Sequence, residues 1–246
     1  VMKDAPQPVY TFSAKSDSAS LTARDIRLAP SGVRFCALEE GELVRVKTNL
    51  PGQFSVYNAL AAISCARLLG VSLADAAAAL ETAHGAKGRV EPVPTDGDYS
   101  IFIDYAVTPD AIENVLTTLR GIAPKRLVML FGAGGDRDRK KRPIMGKLSA
   151  DIADFVIVTS DNPRTENPMS IIEEILPGVR AGKAPYKVIC DRPEAIRWAI
   201  DHHEPGDVIL LCGKGHEDYQ IIGHEKIHMD EREIVADYLA ERAKRT

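Results

Sequence analysis

A polar turn directly after the apolar run Phe155–Val158 contains residue types that bind charged small molecules. It carries the side chains of Asp161, Asn162, Arg164 and Glu166. The proline between them fixes its own φ and disfavours a helical conformation for the preceding residue, so we expect a rigid turn. A planar guanidinium beside two carboxylates and an amide suits a ligand with both carboxylate and ammonium groups, such as an amino acid. An Asx-Pro turn closed by a surface ion pair explains this segment alone equally well.

Two glycine-rich turns follow other apolar runs, and glycines allow a ligand to approach the backbone closely. The first, residues 132–143, holds three glycines and five cations, whose positive field can hold a phosphate or a carboxylate. The second is the run Gly213-Lys214-Gly215, which precedes Glu217, a carboxylate that can bind an ammonium group. A solvated run of charges is the alternative for the first turn. For His216 in the second turn, a structural role is the alternative to that of a catalytic base.

Three single residues are candidates for nucleotide contacts. Asp104 lies at the tip of an apolar run, where a ribose or a metal-bound nucleotide could use it, and a structural role is the alternative. Thr108 and Pro109 behind it indicate the start of a helix. The amide of Asn58, near the start of another predicted helix, can read an adenine edge, and Arg89, at a domain junction, can reach phosphates.

An alternation of strands and helices from residue 93 onward must position most of these residues. The predicted strands are Ser100–Tyr105, Arg126–Phe131, Phe155–Thr159, Lys187–Cys190 and Val208–Cys212. The predicted helices are Pro109–Gly121, Pro143–Ile152, Met169–Ala181, Pro193–His202 and Glu231–Arg245. This order predicts βαβ crossovers and an α/β fold with a doubly wound, mostly parallel, Rossmann-like sheet. Ligands of such sheets bind beyond the carboxyl ends of the strands.

Residues 1–92 follow another pattern, and we expect a domain boundary near residue 92, in a segment rich in glycine and proline. Four short runs predict antiparallel strands, at Val9–Ser13, Ser20–Leu28, Val33–Leu38 and Leu43–Lys47. Two helices are predicted after them, at Ser55–Leu69, with Gly70 as its C-terminal cap, and at Leu73–Ala83, with Ser72 as its N-cap. The chain therefore divides into domains 1–92 and 93–246.

The composition of the chain argues against several classes of protein. The 246 residues carry a formal net charge of −4, so there is no basic surplus for general nucleic-acid binding. No apolar run reaches the about 20 residues that a membrane helix needs, and no secretory signal is recognisable. The four cysteines are scattered among apolar residues, so we expect reduced thiols in a cytoplasmic protein, with neither disulfides nor a metal site.

The spaced motifs together resemble the Mur ligases, ATP-dependent enzymes that form amide bonds in cell-wall synthesis. More narrowly, they resemble the members that add diaminopimelate. The matching segments run through nearly the whole chain and are Tyr57–Ala62, Gly88–Glu91, Asp104–Asp110, Gly134–Asp138, Lys141–Pro143, Asp161–Arg164 and Gly213–Glu217.

The resemblance implies a role for each candidate residue. In that family the Asp-Asn-Pro-Arg turn is typical of enzymes that use meso-diaminopimelate, whose distal carboxylate is absent from lysine. Arg164 can pair with this carboxylate bidentately, and a site built around that pair should reject lysine. The residues implied to contact meso-diaminopimelate are Arg137, Asp161, Asn162, Arg164, Gly213 and Glu217. Those implied on the nucleotide side are Asn58, Arg89 and Asp104; no catalytic or metal-binding residue is implied with them.

The reaction implied by the resemblance belongs to peptidoglycan precursor synthesis, and so to cell shape and division. ATP phosphorylates the glutamate side chain of UDP-N-acetylmuramoyl-L-alanyl-D-glutamate, with Mg²⁺ bridging the phosphates. The amine of diaminopimelate then attacks the acyl phosphate. Positioning and charge stabilisation supply most of the acceleration of such a reaction.

The chain also departs from the family pattern. Family members usually have histidine at Val107, cysteine at Ala133 and glycine at Lys140. The chain contains no Gly-x-x-x-x-Gly-Lys-Ser/Thr phosphate loop, and the family's UDP-binding domain has no counterpart in it. We therefore expect the C-terminal part of the ATPase domain followed by the amino-acid domain, in a fragment that does not catalyse ligation alone.

Two other functions are compatible with parts of the sequence. A non-catalytic module that binds diaminopimelate or a muropeptide agrees with the missing phosphate loop, but such a module would not need the nucleotide-side residues Asn58, Arg89 and Asp104. A ligase of the related folylpolyglutamate or cyanophycin type is disfavoured by the Asp-Asn-Pro-Arg turn. Selective binding of diaminopimelate over lysine separates these hypotheses.

Overall fold

A computed structural model describes residues 9–244, which divide into two compact units. The first unit runs to Gly85 and the second begins at Ala86. The expected boundary near residue 92 lies inside the second unit, because Glu91–Val93 forms a strand of that unit's sheet. In this described part of the chain, no helix is long and apolar enough to cross a membrane.

The first unit is a four-stranded sheet with two helices. Its strands are β1 (Phe12–Ser13), β2 (Leu21–Ala29), β3 (Gly32–Glu39) and β4 (Glu42–Thr48), and its helices are α1 (Gln53–Leu68) and α2 (Leu73–Leu80). Alternate residues of β2–β4 face α1 and α2 and form one apolar core. Ser72 caps α2 as predicted, its Oγ accepting a hydrogen bond from Asp75 N at 3.0 Å.

The prediction that all strands of the first unit are antiparallel was wrong for β1. β2, β3 and β4 pair antiparallel in sequence order, but β1 pairs with β2 in parallel. The loop from Ser13 to Ser20 turns the chain back, so that β2 runs beside β1 in the same direction. Reciprocal bonds between Thr11 and Ser20 close this loop, with Ser20 N donating to Thr11 Oγ1 at 3.0 Å and Thr11 N donating to Ser20 Oγ at 3.2 Å.

The second unit is built on a six-stranded sheet that confirms the predicted mostly parallel α/β fold. Its strands are β5 (Glu91–Val93), β6 (Tyr99–Asp104), β7 (Leu127–Phe131), β8 (Phe155–Val158), β9 (Tyr186–Val188) and β10 (Asp207–Cys212). Their spatial order is β5-β6-β10-β7-β8-β9, and only β5 is antiparallel to its neighbour. A separate antiparallel hairpin of β11 (Tyr219–Ile222) and β12 (Glu225–His228) follows.

Four helices connect the strands of this sheet, and a fifth, α7, follows the hairpin. They are α3 (Pro109–Arg120), α4 (Lys141–Ile152), α5 (Pro168–Ala181), α6 (Arg192–Asp201) and α7 (Glu231–Ala243). α6 and α7 pack on one face, against Ile101, Ile103 and Leu130. The residues that alternate with these, such as Phe102 and Met129, are equally buried on the opposite face, to which α3, α4 and α5 belong.

The helix predictions agree with the structure within a few residues, and Arg245 of the last one lies outside the described residues. β5, β11 and β12 were not predicted. All three are three or four residues long, β11 is only partly buried and β12 is exposed, so they lack the apolar run that marks a buried strand.

Candidate functional site

Four strands of the second unit end at the same level of the sheet. The register places Cys212, the last residue of β10, opposite both Asp104 and Phe131, the last residues of β6 and β7. Phe131 in turn lies opposite Val158, the last residue of β8. All the polar turns singled out in the second unit's sequence therefore begin along one edge, which we call the carboxyl edge.

A buried charge cluster joins the loops after β8 and β10. Lys214 is fully buried, and its Nζ donates to Asn162 Oδ1 at 2.7 Å and to Glu217 Oε2 at 2.8 Å. Asn162 Nδ2 also donates to Glu217 Oε2, at 2.9 Å. Burial raises the pKa of Glu217, but the hydrogen bonds from Lys214 and Asn162 outweigh it and hold the pKa below its ordinary value. We infer that Glu217 is ionised at neutral pH and is held in one position.

Asp161 has a carboxylate oxygen without a partner in the described chain. Its side chain is 6% exposed, and its Oδ1 accepts a hydrogen bond from Asn162 N at 2.5 Å, whereas Oδ2 is buried and makes no hydrogen bond. Oδ2 faces Gly213, where a Cβ would lie only 2.6 Å away. Because a buried carboxylate oxygen needs a donor, this position is suited to an ammonium group of a ligand.

Arg164 lies beside the glycine-rich turn, in a left-handed conformation with φ of 51°. Its backbone is held by the hairpin: Arg164 N donates to Ile221 O at 3.0 Å, and Gly223 N donates to Arg164 O at 2.7 Å. Nη1 of its half-buried guanidinium donates to Gly135 O at 2.9 Å. Within residues 9–244 no hydrogen bond involves Nε or Nη2, so these donors are free to bind a carboxylate.

The glycine-rich turn after β7 packs directly on the Asp-Asn-Pro-Arg turn. Gly135 N donates to Asn162 O at 2.9 Å, and a Cβ at Gly135 would lie 1.8 Å from Pro163 O. Only glycine allows this approach. Asp136, with φ of 54°, accepts hydrogen bonds from Thr165 N and from Thr165 Oγ1. The two turns therefore form one rigid wall of the site.

Glu166 has a different role from the one its position in the turn suggested. Its two carboxylate oxygens accept hydrogen bonds at 2.8 Å from the fully buried guanidinium of Arg142, and Oε1 also accepts from Asp136 N at 2.6 Å. The hydrogen bonds from Arg142 lower the pKa of Glu166 to about 2, against the opposing effect of burial. Glu166 thus fixes the two turns to α4 and is not available to a ligand.

The remaining predicted residues of this unit differ in exposure. Arg137 is exposed, and within the described chain its guanidinium contacts only the Asp136 carbonyl, at 3.2 Å. Arg89 is exposed, with its guanidinium 5.4 Å from the centre of the Tyr105 ring. Asp104 is buried, and its carboxylate accepts hydrogen bonds from Val90 N at 2.9 Å and Ala106 N at 2.8 Å.

The visible role of Asp104 is therefore structural, because it ties the strand end to both neighbouring loops. Burial raises its pKa, against the lowering effect of the two backbone donors. Asn58 lies on α1 of the first unit, with its side chain exposed. Among residues 9–244 no group of histidine, cysteine, aspartate and glutamate side chains could hold a metal ion.

Comparison with known proteins shows to which family this fold and site belong. The model of the "Mur ligase, glutamate ligase domain" matches residues 88–215, more than half of the chain, and that of the "Mur ligase middle domain" matches residues 1–66. The chain belongs to the Mur ligase family. Most of its carboxyl-edge site lies in the part that matches the glutamate ligase domain, and Glu217 follows the end of that match by two residues.

Two curated relatives and one solved structure share a name. UDP-N-acetylmuramoyl-L-alanyl-D-glutamate–2,6-diaminopimelate ligases from Caldanaerobacter subterraneus subsp. tengcongensis and Trichormus variabilis are 49% and 46% identical, over 96% and 98% of this chain. A solved structure of a ligase of the same name is 34% identical over 98% of the chain, with a TM-score of 0.78. The chain covers 48%, 49% and 50% of these proteins, so it spans about half the length of the relatives it matches.

The three residues expected to depart from the Mur ligase pattern lie in different surroundings. The backbone oxygen of Val107 accepts a hydrogen bond from Lys141 Nζ at 2.8 Å, so a lysine is held beside this residue. Ala133 is buried in the glycine-rich turn, where a small side chain fits. Lys140 is exposed at the start of α4, with its N–H bonded to Asp138 Oδ1. Nothing in the structure explains why these three positions hold these residue types.

The sequence interpretation missed three buried cations of the site. Lys214 was noted only as a residue between glycines, and Arg142 only as part of a charged run. Arg192, fully buried at the start of α6, was not singled out. Arg142 and Arg192 are buried against carboxylates and carbonyls from distant parts of the chain, which leave no local signal. Lys214 has a nearby carboxylate, that of Glu217, but its second partner, Asn162, is also distant in the sequence.

Proposed function

We propose that this chain is the C-terminal part of an ATP-dependent ligase that adds meso-diaminopimelate to UDP-N-acetylmuramoyl-L-alanyl-D-glutamate. The second unit would bind the incoming amino acid, and the first would belong to the ATP-binding domain. The proposal depends chiefly on the carboxyl edge, where a free guanidinium face, an unpartnered carboxylate oxygen and an ionised glutamate meet. The names of the relatives agree with it.

The charges of the carboxyl edge complement those of meso-diaminopimelate, which has an ammonium and a carboxylate at each end. We propose that Arg164 binds the distal carboxylate through its free nitrogens, since these donors form the planar fork that carboxylates accept. Asp161 Oδ2 and Glu217 would bind ammonium groups. Asn162 and Gly213 would shape the pocket, and Arg137 would supply a second cation at its rim.

The site binds and orients the amino acid in this proposal. A fixed position lets the uncharged form of its amine attack an activated carboxylate without a search for the right geometry. ATP and Mg²⁺ would supply the activation in the whole protein. Arg89, whose exposed guanidinium is suited to phosphate, and Asn58 are the proposed nucleotide-side residues, while Asp104 would contribute by holding the loops around it.

The 246 residues contain no phosphate loop, so we expect no formation of ADP when the chain alone is incubated with ATP, the UDP-linked dipeptide and meso-diaminopimelate. A cytoplasmic location would agree with this proposal, because the proposed reaction consumes ATP. ADP release that depends on all three substrates would show that this chain holds a complete active site.

Isothermal titration of the 246-residue chain with meso-diaminopimelate and with lysine tests the proposed substrate. We expect clear selectivity for meso-diaminopimelate and a loss of about a hundredfold in its affinity in Arg164→Ala, because charged hydrogen bonds are lost. Arg180→Ala is the matched control, since Arg180 is exposed at the far end of α5. Equal affinity of the wild type for both amino acids would contradict the proposal.

A further inference from the structure

A fully buried ion pair lies behind the carboxyl edge. Arg192, the first residue of α6, and Glu231, the first residue of α7, are both 0% exposed in their side chains. Arg192 Nε donates to Glu231 Oε1 at 2.9 Å, and Glu231 Oε2 is buried without a partner within the described chain. Neither side chain makes a hydrogen bond to a side chain that is proposed to bind the ligand.

The same guanidinium also binds two backbone carbonyls that precede the site. Arg192 Nη2 donates to Cys212 O at 2.9 Å, and Nη1 donates to Ser160 O at 3.4 Å. Cys212 directly precedes Gly213, and Ser160 directly precedes Asp161. Since β7 separates β10 from β8 in the sheet, no ladder of hydrogen bonds joins these two strand ends directly. Arg192 spans the gap.

Stability alone does not account for this arrangement. A buried ion pair loses hydration that its mutual attraction only partly restores, and apolar residues of similar volume often serve equally well. A cation at the N-terminus of α6 is also unfavourable with respect to the helix dipole. A planar fork with donors in fixed directions, by contrast, is well suited to hold two carbonyls at a set separation.

We propose that Arg192, held in place by Glu231, is a positioning residue that sets the distance between Asp161 and Gly213 and thereby the affinity for the zwitterionic amino acid. This inference rests on the proposed function for its ligand. The unpartnered Asp161 Oδ2 faces Gly213. A looser link between their loops would change the position of this oxygen relative to Gly213, and with it the hydrogen bond that the oxygen offers to the ammonium group.

The double variant Arg192→Met/Glu231→Leu tests this role in the full chain. It removes both charges together, which avoids a lone buried ion, and it removes the fork that holds the two carbonyls. We expect the Kd for meso-diaminopimelate to rise at least about tenfold, as for the loss of one charged hydrogen bond. We also expect faster deuterium exchange in residues 160–164 and 212–217.

Arg126→Met/Asp207→Leu is the matched control, because it removes another ion pair with a fully buried carboxylate, at the opposite end of β10. It should lower Tm by a similar or larger amount and leave the Kd unchanged. A Kd within twofold of wild type in folded Arg192→Met/Glu231→Leu would overturn the inference. So would an equal loss of affinity in the control.

A second variant covers failure of the double variant to fold. Arg192→Lys keeps the charge next to Glu231 but lacks the planar fork, so its Kd should also rise; an unchanged Kd would overturn the inference. If the wild type does not bind meso-diaminopimelate, the proposed function fails by itself. Deuterium exchange then still decides the positioning role, since unchanged exchange in both loops contradicts it.

Discussion

Lys214 shows how a single residue organises the candidate site. Its ammonium group has no contact with solvent, yet two oxygens, from Asn162 and Glu217, accept its hydrogen bonds. An ammonium buried in this way must be paired, because an isolated one would lose several kcal/mol of hydration. The pairing in turn keeps Glu217 ionised and directs the Asn162 amide, so the geometry of the site depends on a residue that a ligand need not touch.

Replacement of Lys214 should therefore destabilise the fold as well as the site. We expect Lys214→Met to lower the free energy of unfolding by about 3 kcal/mol, because it leaves the buried Glu217 carboxylate without its cation. Urea denaturation measures this change. Lys183→Met, at an exposed position, should change the free energy by less than about 0.5 kcal/mol. Similar values for the two variants would show that the buried pairing contributes little.

The pairing of Glu166 with Arg142 should make the stability of the fold depend on pH. Arg142 lowers its pKa from 4.5 to about 2 in the folded protein, so the unfolded chain takes up the proton first as the pH falls. The contribution of Glu166 is complete above pH 4.5 and is lost between about 4.5 and about 2. The difference in free energy of unfolding between wild type and Glu166→Gln should thus be larger at pH 7 than at pH 3.

Chemical denaturation at the two pH values checks this sign. Glu225→Gln is the control, because Glu225 is exposed on β12 and forms no ion pair within the described chain. Its difference from wild type should be small at both values. A Glu166→Gln difference that is constant, or that grows towards acid pH, would contradict the assigned pairing.

At the scale of the elements, α4 and α5 approach each other closely, and α4 carries the buried Arg142. A Cβ at Gly178 of α5 would lie 1.8 Å from the carbonyl oxygen of Pro143 in α4, and one at Gly146 would lie 2.5 Å from Ile175 O. The two glycines therefore set the contact distance between the helices. Arg142 lies in the first turn of α4 and donates hydrogen bonds to Glu166 and Glu174.

Gly178→Ala should consequently destabilise the fold. We expect the free energy of unfolding to fall by about 3 kcal/mol, since backbone must move to admit the methyl group. Gly121→Ala is the matched control, because a Cβ at Gly121 would lie 3.4 Å from its nearest atom, Thr118 O, and the φ of Gly121 is −67°. That variant should be stabilised by about 0.5 kcal/mol. Urea titrations that show no difference between them would contradict the close packing of α4 and α5.

The accuracy of the element predictions followed the kind of signal in the sequence. Thr108 with Pro109 marked the start of α3, and the Thr108 hydroxyl does accept a hydrogen bond from Ala111 N. Both residues act within one turn, so four residues contain the whole signal. The hairpin of β11 and β12 was missed, because its strands are short and it is joined to Arg164, a distant part of the chain, by backbone hydrogen bonds that leave no local signal.

At the scale of the molecule, each unit has its own apolar core. One core consists of residues from β2 to α2, and the other of residues from the six-stranded sheet, α6 and α7. A core that is complete within a unit satisfies the main requirement for independent folding. The carboxyl edge lies entirely within the second unit.

Residues 86–246 should therefore fold without the first unit. We expect a single cooperative thermal transition by circular dichroism, and the same Kd for meso-diaminopimelate as the whole chain. The matching experiment on residues 1–85 separates the two cores. A second unit that shows no cooperative transition would mean that its core is not sufficient, and a folded unit with a weaker Kd would place part of the site elsewhere.

The sequence by itself determined the order of strands and helices in the second unit, the family, and the turns that lie at the carboxyl edge. These properties are encoded in short segments, by periodicity, caps and motifs of a few residues. Only the tertiary structure decided which charges are free to bind. Glu166 is bound by Arg142, 24 positions away, and Lys214 donates a hydrogen bond to the amide oxygen of Asn162, 52 positions away. A carboxylate or a cation looks the same in the sequence whether or not a distant group already binds it.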